Sequence, residues 1–262
     1  MRRRRRNKVP TSLVASLLLL CSGCSARDDA PEVEAQAAKP KLGLFTTLPI
    51  YWGEGGMEAI IAGNSAPDWV RVELETKFEL VPLDTLETDA LEGIDRVLLA
   101  QPRPLAPSEN VAFDQFLAGG GTALILADPM LTRHSDYGIG DRRRPQDVVV
   151  LSPILNRLGV RLQFDEEQPQ GERIVNVDGR QYPVHLAGSF EKVESGSSSR
   201  TCDVLDGALL AHCANGQGEA FLYADAALLD WEGDDPVPES RKEALWSLLM
   251  PLVSKGSTHR QN

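Results

Sequence analysis

Tyr51, Trp52, Glu54, Gln101, Arg103, Asp128 and Asp225 stand at or just beyond points where apolar runs of this 262-residue chain stop. Gathered at the carboxyl ends of strands, an aromatic pair beside a guanidinium and several carboxylates could hold a polar ligand such as a sugar or a peptide. The alternative is that Asp128 and Asp225 only cap loops and Trp52 packs under one. Arg142, Arg143 and Arg144 form a second cluster, unusual in an acidic sequence. It is suited to gripping a carboxylate, a phosphate or a partner. Local ion pairs to Asp141 and Asp147 in a solvated loop are the competing use.

Other chemistry lacks its residues. A nucleophilic cysteine needs a strand-to-helix elbow and a nearby base. The best-placed strand end reads Asp128–Pro129–Met130, and neither Cys202 nor Cys213 lies in a G-x-C-x-G context. No G-x-S-x-G elbow exists, and Ser135 is merely the sequence neighbour of His134 in a polar stretch. His134, His185, His212 and His259 lie far apart, without the spacing of a metal site, so no metal is expected. Gly53–Glu54–Gly55–Gly56 sits where a phosphate loop would, yet lacks G-x-G-x-x-G, so no cofactor is expected. The expectation is a domain without catalysis; the enzymatic alternative is a hydrolase or transferase using carboxylates such as Asp128 with Glu54.

The elements that would position these residues follow from hydrophobic periodicity. Leu42–Gly43–Leu44–Phe45 opens the folded part as a buried strand, and Asp68 is available to cap a helix leading to a second strand at 78–84. Val97–Leu98–Leu99–Ala100 and Ala123–Leu124–Ile125–Leu126 are near-continuous apolar runs. Between them Ser108 is read as the cap of a helix whose face carries Val111, Phe113, Phe116 and Leu117, stopped by Gly119–Gly120–Gly121. Such strands, joined by an amphipathic helix, predict a parallel sheet covered on both faces. A polar connection spans 130–147, a helix and strand meet at Gly159, and residues 171–214 alternate in short segments read as antiparallel hairpins with a tip at 195–199. A strand at 219–225 and a helix at 239–253 complete the set.

The amino-terminal end reads as an export signal: five arginines at 2–6, Lys8, a short apolar run and small residues before Cys24. That run is about half the ~20 residues of a spanning helix. Gly23–Cys24 resembles a bacterial lipobox, with Cys21 where an aliphatic residue is usual, and predicts lipidation of Cys24; plain secretion is the alternative. Six of the 27 basic residues, and none of the 38 acidic ones, precede Cys24, leaving a formal charge of −17 on the remainder. That excludes a nucleic-acid footprint and requires something other than headgroup attraction to hold the domain at a membrane. Cys202 and Cys213 then form a disulfide in an oxidising compartment, or remain two separate thiols. The resulting domain map is a signal peptide at 1–23, a tether at 24–40, an α/β domain at 41–256 with a hairpin-rich insertion at 171–214, and a tail at 257–262.

Three stretches carry a resemblance. Gln101–Pro102–Arg103–Pro104 leads through Gly119–Gly120–Gly121 to Leu126–Ala127–Asp128–Pro129; Leu155–Asn156–Arg157–Leu158–Gly159–Val160 follows; Asn215–Gly216–Gln217–Gly218 precedes Phe221–Leu222–Tyr223–Ala224–Asp225. In this order they resemble the auxiliary-protein family of bacterial ABC-type transport systems, which includes a gliding-motility component. The resemblance implies a flavodoxin-like three-layer α/β sandwich related to class I glutamine amidotransferases, on the outer side of the cytoplasmic membrane, without transferring any activity. It further implies an ABC-type transport component or another envelope protein as partner. The chain departs from many members in its length and in a last helix that mixes Arg241, Lys242 and Glu243 with Trp246, Leu248 and Leu249.

Overall fold

Seven strands of the computed structural model form one sheet. The structure describes residues 38–54, 61–63, 67–194, 200–205, 207–231 and 235–255. The signal, Cys24, most of the tether, the 195–199 tip and the 257–262 tail lie outside them. Residues 39–262 make up a single contact unit.

Five of the seven strands are parallel: β1 (Lys41–Thr46), β2 (Glu79–Pro82), β3 (Arg96–Ala100), β4 (Thr122–Leu126) and β11 (Gly218–Tyr223), in the spatial order β2-β1-β3-β4-β11. Every residue of β3 and β4 is buried, as their unbroken apolar runs require of strands covered on both faces. Helix α1 (Trp69–Glu75) begins as expected, with the Asp68 carboxylate accepting the Val70 N–H at 2.8 Å. It meets α4 (Glu239–Ser254) through the Trp246 indole N–H donated to Glu73. Helices α2 (Pro107–Ala118) and α3 (Ser152–Leu158) pair through the Arg157–Asp114 ion pair. Together the two pairs give the three-layer flavodoxin-like α/β sandwich.

Two expectations are corrected. Ser108 does not cap α2: the helix starts at Pro107, with Ala106 at the cap position, and Ser108 donates its hydroxyl to Glu87. Proline at the first helical position needs no amide partner, and the Ala106 N–H is met instead by the Glu109 carboxylate at 2.7 Å. The 171–214 stretch is antiparallel but is not one insertion. β6 (Arg173–Val177) and β7 (Arg180–Val184) form a hairpin, while β8 (Gly188–Lys192) pairs with β5 (Val160–Phe164). β9 (Arg200–Val204) and β10 (Leu210–Asn215) extend the main sheet beyond β11. Ala211, Cys213 and Asn215 are buried by this pairing, and Cys202 and Cys213, directly opposed across β9 and β10, are joined by a disulfide.

Candidate functional site

The chain runs outward from β1 to the edge strand β2, then returns to β3 on the other side of β1. Loops leaving β1 and β3 therefore diverge, opening a crevice at the carboxyl ends of these strands. Register aligns those ends: Thr46 lies beside Ala100, Ala100 beside Leu126, and Leu126 beside Tyr223. The crevice holds a cleft of about 320 Å³ whose wall includes Phe45, Thr46 and Thr47 after β1, Tyr51, Trp52 and Glu54 beyond them, Asp84 after β2, Arg103 after β3, and Tyr137, Arg142 and Arg143 from the 130–147 segment. Of the residues predicted from sequence, the fold brings Tyr51, Trp52, Glu54, Arg103, Arg142 and Arg143 to this cleft. Gln101, Asp128, Arg144 and Asp225 do not line it.

Gln101 turns inward and organises the crevice floor. It is fully buried with φ +44°, in the left-handed region that side chains other than glycine seldom occupy. Its amide oxygen accepts the Asp128 N–H at 2.9 Å, and its amide nitrogen donates to the carbonyls of Asp128 (3.0 Å) and Gln146 (2.8 Å). The Thr47 hydroxyl donates to the Gln101 carbonyl and accepts the Gln146 N–H at 3.0 Å. Both ends of the 130–147 segment are thereby tied to the ends of β1, β3 and β4. Its middle returns over the β1 loop, where the Tyr137 hydroxyl donates to the Glu54 carbonyl and the Asp136 N–H to the Glu54 carboxylate.

Arg103 forms a cleft wall but is already engaged. Its guanidinium makes a fork to Glu109, at 2.7 and 2.8 Å, donates to the Asp84 carbonyl at 2.8 Å, and lies 4.9 Å from the centroid of the Phe45 ring. Glu109 is buried and also accepts from Thr85, Leu86 and Ala106. The Arg103 bonds, opposed by burial and aided by the amide donors, hold its carboxyl down at about 2. Sequence reasoning passed over Glu109. Its signal was acidity at the third position of a helix opening with proline, where a carboxylate serves the free amides.

Asp128 and Asp225 follow the neighbouring strands β4 and β11 and are wholly buried. Every carboxylate oxygen takes a backbone amide: Met130 and Ala226 for Asp128, His185 and Ala227 for Asp225. Desolvation is the main cause raising both carboxyls well above the usual range, and for Asp225 the nearby Asp128 adds to it. This geometry ties strand ends to the 130–147 segment, to the turn after β7 and to the short 3₁₀ turn Ala227–Leu229. His185 and Thr132 stand 2.9 Å apart, but His185 Nε2 accepts the Gly171 N–H, so Nδ1 carries the proton and donates to the threonine oxygen. The imidazole is not oriented to activate that hydroxyl.

The three arginines divide. Arg143 pairs with Asp141 at 2.7 Å and lies over the Tyr137 ring; Arg144 pairs with Asp147 at 3.0 Å and donates to the Tyr137 carbonyl. Arg142 is exposed at the cleft, with no hydrogen bond or ion pair among the described residues. Trp52, about two-fifths exposed, meets Tyr51 edge-on at 4.6 Å, and Arg71 stacks over the Tyr51 ring. Among the described residues, no group of three or more His, Cys, Asp or Glu is arranged to hold a metal, and no helix is long and apolar enough to cross a membrane.

Solved structures align with the chain at low identity. The mmIFT52 N-terminal domain aligns at TM-score 0.50 and 11% identity, over 84% of this chain and 100% of its own. A putative ThuA-like protein from Bacteroides uniformis aligns at TM-score 0.42 and 12% identity, over 84% of this chain and 94% of its own. The exo-β-1,4-mannosidase Op5Man5 from Opitutaceae bacterium strain TAV5 aligns at TM-score 0.41 and 11% identity, over 85% of this chain; the chain spans only 35% of that enzyme's length. No curated protein matches the sequence. The family model described as ABC-type uncharacterized transport system matches residues 39–184, more than half of the chain, and the protein belongs to this family of auxiliary components of ABC-type transport systems.

Proposed function

We propose that this protein is a noncatalytic cell-envelope lipoprotein, a binding domain held on the periplasmic side of a bacterial membrane by lipid on Cys24 and serving an ABC-type transport component through the cleft beside β1 and β3. The observation that carries the binding role is the division of labour among the polar residues. Those at the strand ends are consumed in internal bonds, while Trp52 and Arg142 at the cleft make no hydrogen bond or ion pair among the described residues. The disulfide favours an oxidising compartment, and the acidity of the domain makes a lipid the natural hold on an anionic surface.

The enzymatic alternative would use Asp128 with Glu54. Against it, Asp128 is wholly buried and amide-capped while Glu54 lines the cleft, so the two do not converge on a shared space open to substrate. Two measurements test the reading. Replacing Cys24 by Ala should move the protein from the membrane to the soluble fraction; retention on the membrane refutes the anchor. Capture of envelope proteins from solubilised membranes should fall in a Trp52→Ala, Arg142→Ala double variant, and turnover of any envelope substrate abolished by Asp128→Asn at intact fold would overturn the noncatalytic role.

A further inference from the structure

We propose that the cleft takes a small zwitterion of the amino-acid or short-peptide class, its carboxylate received by Arg142, its ammonium by Asp84 and Glu54, and its body laid against Trp52. The proposal rests on the binding role of this cleft and names its ligand.

The argument begins with what each polar group is already doing. The hydroxyl of Thr46 donates to the Ala100 carbonyl and accepts the Leu48 N–H, and Thr47 is bonded on both sides as well. Arg103 is spent on Glu109, and Arg143 is engaged with Asp141. Arg142 has no partner among the described residues. The Asp84 carboxylate takes no hydrogen bond among them, although its charge acts on Arg103, and the Glu54 carboxylate takes a single amide, from Asp136 at 3.3 Å. The free cleft thus offers one guanidinium, two carboxylates with spare acceptor capacity, and a half-open indole whose N–H has no acceptor among the described residues.

These charges come from three different elements: Arg142 from the 130–147 segment, Asp84 from the end of β2, and Glu54 from the loop after β1. No hydrogen bond or ion pair joins them to one another among the described residues, although the charge of Asp84 acts on Arg103 and that of Glu54 on Arg144. A simple anion would gain Arg142 but meet two carboxylates in an acidic domain; a simple cation would gain the carboxylates but meet Arg142 and Arg143. A molecule carrying both charges makes charge-assisted hydrogen bonds at each end. A neutral sugar could stack on Trp52 but would make no charge-to-charge bond with the guanidinium or the carboxylates. The volume, about 320 Å³, is at the small end of ligand pockets, which fits one or two residues and not a long chain.

Full-length protein in detergent would be offered a pool of free amino acids and dipeptides, and binding read by saturation-transfer NMR and then calorimetry. Maltose and inorganic phosphate would be run alongside. At least one pool member should bind, and acetylating its amine or amidating its carboxylate should each weaken it by about tenfold or more. Arg142→Ala should abolish the difference between acid and amide; Asp84→Asn with Glu54→Gln should abolish that between amine and acetylamine. Silence from the pool, or capped compounds binding as well as free ones, overturns the proposal. If maltose or phosphate instead binds in a Trp52-dependent way, the zwitterion is refuted and the cleft remains a binding site. If no probe binds and Trp52→Ala leaves capture of envelope proteins unchanged, the binding role of the cleft falls too.

Discussion

Glu109→Gln isolates the bond network that shapes the Arg103 wall of the cleft. Glu109 is buried, and its carboxyl is held at about 2 against an ordinary value of 4.5, chiefly by the Arg103 fork. A depression of that size corresponds to about 3 kcal/mol of folding stability. Arg103 is 38% exposed at its side chain, so solvent screening brings the expectation to about 2 kcal/mol. A lowered carboxyl contributes stability that is fully present above the unfolded pKa and is lost as pH falls through the folded one. The contribution therefore stands above about pH 4.5 and fades toward pH 2. Urea unfolding of wild type and variant from pH 7 down to pH 2.5 should show the variant weaker by about 2 kcal/mol at neutral pH, with the gap closing in acid. A gap of constant size across that range would mean that Glu109 acts through packing alone, and the charge argument would be wrong.

The buried acids beyond β4 and β11 carry the opposite sign. Asp128 and Asp225 have raised carboxyls, so their favourable contribution is present in acid and is lost as pH climbs from about 4 toward neutrality; Asp128→Asn should flatten that decline in a pH series of melting temperatures. Gln101 is expected to be needed for its amide and not for its backbone. Gln101→Ala should cost about 3 kcal/mol for the three lost side-chain bonds, and Gln101→Gly about 1 kcal/mol less because glycine accepts the +44° φ without strain. Equal losses in the two variants would refute the strain assignment, and faster hydrogen exchange at the Asp128 and Gln146 amides should report the released segment. Removing the Cys202–Cys213 bond as a double Ser variant, across a separation of 11 residues, should cost about 3 kcal/mol in denaturant, and reductant should affect wild type alone.

What sequence showed clearly was local. The unbroken runs of β3 and β4 admit no polar face, so their burial between two helical layers could be read directly, as could Asp68 as a cap. What it could not show was partner choice. The alternation in β9 and β10 is the same whether the strands stand alone or add to β11, and only the depth of Ala211 and Cys213 in the folded protein records the difference. The site shows the same limit. Tyr51, Trp52, Glu54, Arg103, Arg142 and Arg143 were legible because they punctuate apolar runs or break a charge pattern, and these are the residues at the cleft. Gln101, Asp128 and Asp225 occupy equally prominent positions, yet besides the amides two residues on that each aspartate takes, their side chains turn to backbone amides and carbonyls supplied from 27 to 98 residues away. Such partners have no local signature.

That inward turn has a functional consequence. A doubly wound sheet offers its ligand the strand ends, and enzymes on such sheets place reactive groups there. Here the strand-end residues Gln101, Asp128 and Asp225 are instead used to fasten long connections, with the Gln101 amide bridging β3, β4 and the 130–147 segment at once. The groups free to meet a ligand lie farther out, at Trp52 in the loop after β1 and at Arg142 in the fastened segment. Fastening a loop fixes where its outward side chains stand and lowers the entropy lost when a ligand engages them. The bonded floor and the open rim are two outcomes of one set of bonds: the side chains that hold the ends of the 130–147 segment turn inward, and the segment they hold brings Arg142 to the cleft.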